Sequence, residues 1–135
     1  FINAFGEEII LDNAEQALMI ACKHTKSQIK DYTAGPIYMK DDNKGSHEWL
    51  IEFENPPEDI DYFTDVLDKA LCSINSDYEA KRYKNTTLMK PTVVPVPQGT
   101  FYRWFQNKGK VGGQNKMPRL SNDRKYLEEI QQLIS

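Results

Sequence analysis

The segment 47–54, HEWLIEFE, alternates apolar and acidic residues more regularly than any other part of the chain. A period of two is that of a β-strand, whose side chains point alternately to opposite faces of a sheet. One face carries the large apolar side chains Trp49, Ile51 and Phe53, and the other is marked by Glu48, Glu52 and Glu54. The pattern therefore predicts a strand with one apolar face.

Helical spacing flanks this strand on both sides. Asp12 or Asn13 can cap a helix that runs to about Thr25, with Gln16 in capping-box position. Asn55 is predicted to cap the longest helix, with a proline near its first turn. The apolar positions of that helix keep a period near 3.6: Ile60, Phe63, Leu67, Ala70, Leu71, Ile74 and Tyr78.

The remaining elements complete a mixed pattern. FINAF, SQIKDYTAGPIYM and PTVVPVP are predicted strands, the last at an edge because of its prolines. Thr100 is expected to cap a short helix, and Ser121 or Asn122 to begin the last one. The order of elements predicts a single α+β domain, with a small, mostly antiparallel sheet and helices packed on one face.

Length and composition narrow the class of protein. A chain of 135 residues suits one domain, and no apolar run reaches the ~20 residues that span a bilayer. No signal-peptide pattern is present. Cys22 and Cys72 both fall within helical patterns, which predicts reduced core thiols and a cytoplasmic location. The chain begins at Phe1, within a predicted strand, which indicates a piece of a longer protein.

Charge is unevenly distributed along the chain. Residues 1–80 hold 17 acidic and 6 basic side chains, whereas residues 81–125 hold 11 basic side chains and a single acidic one, Asp123. The basic stretch either faces an anion or neutralises the acidic half across the fold. Charge alone leaves both interpretations open.

Most other candidate motifs are better explained by a structural role than by a binding or catalytic one. DDNKGS, residues 41–46, resembles a calcium loop but has serine where that loop needs glycine, so a hairpin turn is favoured. His24 and His47 lack a partner at metal-ligand spacing, so no metal site is predicted. The aromatic residues at 101–105 lie among basic ones, as in nucleic-acid binders, but their helical spacing favours a core role. Walker, dinucleotide-binding and nucleophile-elbow motifs are missing from the sequence.

One lysine has an unusual local sequence. In GGQNKMPRL, residues 112–120, two glycines precede Lys116 and Pro118-Arg119 follows it. Glycines permit unusual backbone angles, and the proline favours an extended conformation at Met117. Lys116 is therefore held on an extended segment with Arg119 nearby. A contact with an anion and a solvated loop remain alternatives.

Five motifs together carry a resemblance to a known family. FGEE, HEWLIEFE, INSDYEAKR, QGTF and GGQNKMPRL, in this order, resemble the C-terminal domain of the auxin-responsive (Gretchen Hagen) acyl-acid amido synthetases, and most closely their bacterial branch. The resemblance covers nearly the whole chain.

The resemblance implies an activity for a larger protein. Such enzymes use ATP and Mg²⁺ to convert a carboxylic acid to an acyl-adenylate, and then transfer the acyl group to an amino acid. A large N-terminal domain binds the substrates, and a mobile C-terminal domain contributes one lysine to adenylation. Lys116 takes the position of that lysine, and Arg119 falls in the same nucleotide-facing segment. INSDYEAKR matches at Asn75, Ser76, Tyr78 and Arg82, without assigned roles.

Two departures limit what the resemblance implies. The large domain is absent from this chain, so the isolated chain is expected to be inactive and to bind neither ATP nor Mg²⁺. FINAFGEE also differs from the hinge-proximal segment of the plant members. Expected partners are the N-terminal domain, a small carboxylic acid and an amino acid, with no membrane and no specific nucleic acid. An RNA- or phosphate-binding module that uses residues 82–125 is the alternative, and a purely structural interaction domain is a third.

Overall fold

The structure, a computed structural model, describes residues 1–39, 44–85, 87–108 and 117–135. This part of the chain contains five α-helices, three strands and one short 3₁₀ turn. In chain order they are α1 (Leu11–Thr25), β1 (Gln28–Tyr38), β2 (Gly45–Asn55), α2 (Ile60–Ile74), α3 (Ser76–Arg82), the 3₁₀ turn (Tyr83–Asn85), β3 (Thr92–Val96), α4 (Thr100–Asn107) and α5 (Lys125–Ile134).

The strands form one sheet in the order β1-β2-β3. β1 pairs antiparallel with β2 along nearly its whole length, and Ala34 lies opposite Trp49. β3 pairs parallel with β2, with Val93 beside Trp49, and lies at the sheet edge as its prolines predict. The predicted α+β class with a small sheet in a single domain is confirmed. The sheet is mixed, and its longer pairing is the antiparallel one.

Helices cover both faces of this sheet, whereas the sequence analysis expected them on one face. α1 and α2 pack on the face that carries Trp49 and Ile51, with Phe63 and Leu67 at the centre of the contact. α4 and α5 pack on the opposite face, around Leu50 and residues that include Phe101, Trp104, Leu127 and Ile130. β2 is thus buried on both faces, each by a different pair of helices, so its alternation of apolar and acidic residues does not mark a solvent-exposed face.

Burial of the second face changes the environment of the β2 glutamates. Glu48 is 9% exposed and Glu52 is 1% exposed, although both stand on the acidic face of the strand. Arg124 donates to Glu48 at 2.8 Å. Glu52 accepts hydrogen bonds from the backbone N–H groups of Gly99 and Phe101, at 2.9 and 3.1 Å. Glu52 thus caps the start of α4, where the sequence analysis expected Thr100.

The N-terminal residues form a short hairpin rather than a full strand. Ile2 and Ile9 make an isolated antiparallel bridge, and each backbone N–H donates to the carbonyl of the other at 2.8 Å. Gly6 adopts a positive φ of 84°, which a glycine accommodates without strain, within the turn between them. Within the described residues, no helix is both long and apolar enough to cross a bilayer.

Candidate functional site

The segment that follows Lys116 is attached to the free edge of β1. The backbone N–H of Ala34 donates to the carbonyl of Arg119 at 2.8 Å, and the N–H of Ser121 donates to the carbonyl of Ala34 at 3.0 Å. The Thr33 hydroxyl donates to the carbonyl of Pro118 at 2.8 Å. Because Ala34 and Leu120 also form a parallel bridge, the segment extends the sheet by one very short strand.

Side-chain packing holds the same segment on both sides of the sheet edge. Met117 is buried in the cluster with α4 and α5, whereas Leu120 is buried in the cluster with α1 and α2. A Cβ added at Gly35 would lie 2.9 Å from the carbonyl oxygen of Asp123, so only glycine permits this close approach of the chain to β1. The described segment after Lys116 is thus fixed by hydrogen bonds and by packing.

Arg119 projects from this fixed segment toward a groove between α1 and β1. Its guanidinium carbon lies 4.9 Å from the centre of the Tyr32 ring, which is cation–π geometry. The guanidinium is 3.6 Å from the Asp31 carboxylate, and the Arg119 side chain is 38% exposed. Glu15 and Met19 line the same groove. Arg119 can therefore meet an anion from solvent while its guanidinium rests against the Tyr32 ring.

The Tyr32 hydroxyl lies buried below this guanidinium. Among the described residues it has no hydrogen-bond partner. Burial raises the pKa of the Tyr32 phenol, and the negative charge of Glu15 raises it further. The hydroxyl therefore stays protonated and can act only as a neutral donor or acceptor.

Of the two residues predicted for the site, the structure describes Arg119 alone. Lys116 lies outside the described residues, as does the whole glycine-rich stretch before it. Resemblance, rather than periodicity, pointed to both residues. The anchoring groups Thr33 and Ala34 had no sequence signal beyond their place in a predicted strand.

The INSDYEAKR motif proves to be a structural connection between helices. Asn75 ends α2 and caps α3, its side chain accepting from the N–H of Tyr78 at 2.8 Å. The Tyr78 hydroxyl donates to Asp68 at 2.6 Å, and Arg82 donates to both oxygens of the same carboxylate at 2.8 and 2.6 Å. This carboxylate raises the pKa of Arg82. Every charge in the cluster is paired, so the motif stabilises the fold.

Other basic side chains of the 82–125 stretch also contact acidic residues. Outside the Arg82 cluster, the contacts in the described residues include Arg119 with Asp31, Lys90 with Asp65, Lys108 with Glu129, and Arg124 with Glu48. These contacts favour the interpretation in which the basic and acidic parts of the chain neutralise each other. Within the described ranges, no group of three or more His, Cys, Asp or Glu side chains could hold a metal ion.

Comparison with known proteins finds a matching family profile and solved structures with a similar fold. A sequence profile described as "GH3 family C-terminal domain" matches residues 12–125. The structure "AtGH3.15 acyl acid amido synthetase in complex with 2,4-DB" matches with a TM-score of 0.68 and 14% identity, over 92% of this chain and 24% of that chain.

A second solved structure, "GH3.15 acyl acid amido synthetase", matches with a TM-score of 0.65 and 16% identity, over 90% of this chain and 23% of that one. A search of curated proteins gives no match. The chain spans about a quarter of the length of these two structures. Likeness at these identities shows a shared fold.

Proposed function

Because the chain belongs to the GH3 family as a C-terminal domain, we propose that it works as that domain in an ATP-dependent acyl-acid amido synthetase. The match over residues 12–125 carries the proposal. The shared fold supports it, because both matched structures are acyl acid amido synthetases of which this chain covers about a quarter. On this proposal the chain's partner is a larger N-terminal domain of the same protein.

The proposed reaction has two half-reactions. A carboxylate oxygen attacks the α-phosphate of ATP, which forms an acyl-adenylate and releases pyrophosphate. The amine of an amino acid then attacks the acyl carbon, which forms an amide and releases AMP and a proton. ATP, Mg²⁺ and both organic substrates would bind mainly to the N-terminal domain, so the isolated chain is proposed to be inactive.

Lys116 is proposed to assist the first half-reaction. Negative charge accumulates on the α-phosphate and on the departing pyrophosphate, and a positioned ammonium stabilises it more in the transition state than in the ground state. The fixed segment that starts at Met117 supports this role, because it gives the residue before it a rigid base. Arg119, oriented by Tyr32, would contact the nucleotide from the same segment.

The cellular compartment of the chain and its branch of the family are also proposals. Cys22 and Cys72 are free thiols, which supports the cytoplasm as the compartment. The bacterial branch of the family is proposed from the resemblance of the motifs. An RNA-binding role for residues 82–125 has less support, since several basic side chains of this stretch are already paired.

Isotope exchange between pyrophosphate and ATP tests the proposal. The longer protein that carries this domain should catalyse exchange only when a suitable carboxylic acid is present, and should form an amide when an amino acid is added. The 135-residue chain alone should catalyse neither reaction. Acid-dependent exchange by the isolated chain would contradict the proposal that the substrates bind mainly to the N-terminal domain. If the longer protein catalysed no exchange with any acid of a broad panel, the proposed activity would be contradicted.

A further inference from the structure

The α1–β1 groove is the open depression toward which Arg119 projects, and it has a volume of about 690 Å³. Small-molecule sites in proteins commonly enclose about 300–1,000 Å³. Apolar side chains form part of its wall: the buried Leu18, the exposed Met19 and the half-buried Ile29. The groove is thus large enough for a small organic molecule and offers it an apolar surface.

Charges of both signs line the same groove. Arg119 contributes a half-exposed cation, and Glu15 and Glu54 contribute two exposed carboxylates. The second cation, Lys30, lies 3.8 Å from the buried Glu52 carboxylate. Among the described residues, no ion pair joins Glu15 to Arg119. These two charges therefore line one groove without neutralising each other by contact.

A buried hydroxyl lies close to both of these charges. Tyr32 lines the groove, is 2% exposed, and has no hydrogen-bond partner for its hydroxyl in the described part of the chain. Burial is the main cause that raises the pKa of this phenol, while Glu15 raises it further and Arg119 lowers it, so both charged groups are near the hydroxyl. A buried polar group without a partner is unfavourable, and a ligand that supplied one would relieve that penalty.

The arrangement of charges distinguishes between classes of ligand. A simple anion inside the groove would lie beside the Glu15 carboxylate, and a simple cation would lie beside the Arg119 guanidinium, so each would meet repulsion. A molecule that carries both a carboxylate and an ammonium group meets both charges favourably. A free α-amino acid has these two groups on one carbon atom, and an apolar side chain would match Leu18 and Met19.

We propose that the α1–β1 groove binds a free α-amino acid with an apolar side chain. Arg119 donates to the carboxylate of this ligand, and Glu15 accepts from its ammonium group. The Tyr32 hydroxyl also donates to the carboxylate, once the half-exposed Arg119 side chain shifts to uncover it. Leu18 and Met19 contact the side chain of the ligand. This binding does not depend on the proposed function.

The place of the groove in the reaction does rest on the proposed function. One guanidinium cannot hold a nucleotide and an amino acid at the same time. The groove would therefore be filled when Arg119 is not in contact with the nucleotide. In that state it would hold the acceptor amino acid, as its ammonium form, before the second half-reaction.

Titration of the 135-residue chain with L-leucine, followed in amide NMR spectra, tests the site. The signals of groove residues, among them Tyr32 and Arg119, should shift with a dissociation constant on the order of 1 mM. Leucine methyl ester lacks the carboxylate charge and N-acetyl-leucine lacks the ammonium group, so each should bind about tenfold more weakly. Signals that shift only elsewhere, or not at all, would overturn the proposal.

Two variants assign each end of the ligand to a residue. Arg119→Gln should weaken leucine binding about tenfold and remove the preference for leucine over its methyl ester, because that preference reports the contact between carboxylate and guanidinium. Glu15→Gln should remove the preference over N-acetyl-leucine in the same way. Glu58→Gln removes the same charge from an exposed position before α2 and is the matched control. If both preferences survive in both variants, the assigned contacts are wrong.

A third variant tests the buried hydroxyl. Tyr32→Phe should weaken leucine binding about threefold, the effect of losing one neutral hydrogen bond. It should not lower the free energy of unfolding, because no described residue bonds to that hydroxyl. Unchanged leucine binding would contradict the role of the hydroxyl in the site.

Amide formation by the longer protein tests the link to the second half-reaction. With an apolar amino acid that the enzyme accepts, Glu15→Gln should raise the KM for that amino acid about tenfold relative to Glu58→Gln. An unchanged KM would contradict the place of the groove in the reaction, even where the isolated chain binds leucine. Absence of ATP–pyrophosphate exchange with every acid would contradict the proposed function and leave the NMR result standing.

Discussion

Arg82 and Arg119 are the same type of residue in two opposite environments. The Arg82 side chain is 15% exposed and donates to both oxygens of the Asp68 carboxylate, at 2.8 and 2.6 Å. The Arg119 side chain is 38% exposed, and its guanidinium lies 3.6 Å from Asp31, beyond ordinary hydrogen-bond distance. Arg82 is further tied to the carbonyl of Leu88, whereas Arg119 rests on the face of an aromatic ring.

This difference in exposure and contacts indicates which arginine stabilises the fold and which one remains available to bind a ligand. A buried, bidentate arginine contributes to the fold, and losing it leaves a carboxylate without a partner. A half-exposed arginine on a fixed backbone contributes little to the fold and keeps donors for a ligand. The same contrast divides the two motifs, since INSDYEAKR connects helices and GGQNKMPRL ends in a fixed segment beside an open groove.

Arg82→Ala should give the largest loss of stability. The change leaves the Asp68 carboxylate without its cation, with only the Tyr78 hydroxyl still donating to it, so the free energy of unfolding should fall by about 3 kcal/mol. Urea denaturation of the chain measures this loss. Lys69→Ala, at an exposed position on α2, is the control and should change it by less than about 0.5 kcal/mol. Equal losses in the two variants would show that the Arg82 cluster does not stabilise the fold.

Acid should weaken the buried Glu7–His47 pair, in which the carboxylate lies 2.5 Å from Nε2 of His47. Burial raises the pKa of the Glu7 carboxyl, but the hydrogen bond and charge of His47, together with backbone N–H donors, outweigh it and hold that pKa below its ordinary value. A lowered pKa means that the stabilisation is complete above the unfolded value of about 4.3 and is lost as pH falls through the folded one. Unfolding free energy, measured between neutral and acid pH, should fall more steeply in the unmodified chain than in Glu7→Gln. Parallel curves would contradict this contribution.

Arg119→Ala should reduce stability much less than Arg82→Ala does. Its ion pair is half-exposed and its contact with Tyr32 is a single cation–π interaction, so unfolding free energy should fall by less than about 1 kcal/mol. The longer protein should nevertheless lose part of its acid-dependent ATP–pyrophosphate exchange. Arg119→Lys keeps the charge but not the planar group and should recover the exchange only partly. A loss of stability as large as that of Arg82→Ala would remove the distinction between the two arginines.

Sequence periodicity predicted the main helices and strands, but it did not predict the caps and turns that connect them. The strand at β2 and the helix at α2 were both confirmed, but β2 is buried on both faces and α2 ends at Ile74, before the predicted Tyr78. The cap of α2 was wrong: Asp59 accepts from the N–H groups of Asp61 and Tyr62, while Asn55 donates to the carbonyl of Lys26. Several residues near that boundary are good caps, and only the tertiary contact of Asn55 distinguishes them.

Long-range partners explain what the pattern could not predict. Glu52 sits on an acidic strand face, and nothing local indicates that the start of α4 supplies two N–H donors to it. Tyr78 keeps the helical spacing of α2. The helix nevertheless ends before Asn75, because the Asn75 side chain caps a new helix, α3, which contains Tyr78. The resemblance to a known family pointed to Arg119 as a site residue. Only the structure shows that its guanidinium rests on the Tyr32 ring.

The most direct test of the account concerns Lys116, measured in the longer protein. Lys116→Ala should slow adenylation by about 10²–10³-fold, the effect of losing one positioned electrostatic contact, or ~3–4 kcal/mol. A synthetic acyl-adenylate supplied directly should still be converted to the amide at nearly the unmodified rate, because the lysine is proposed to act only in the first half-reaction. Lys23→Ala, at an exposed position on α1, serves as the control. Normal adenylation by Lys116→Ala, or a melting temperature lowered by many degrees, would contradict the account.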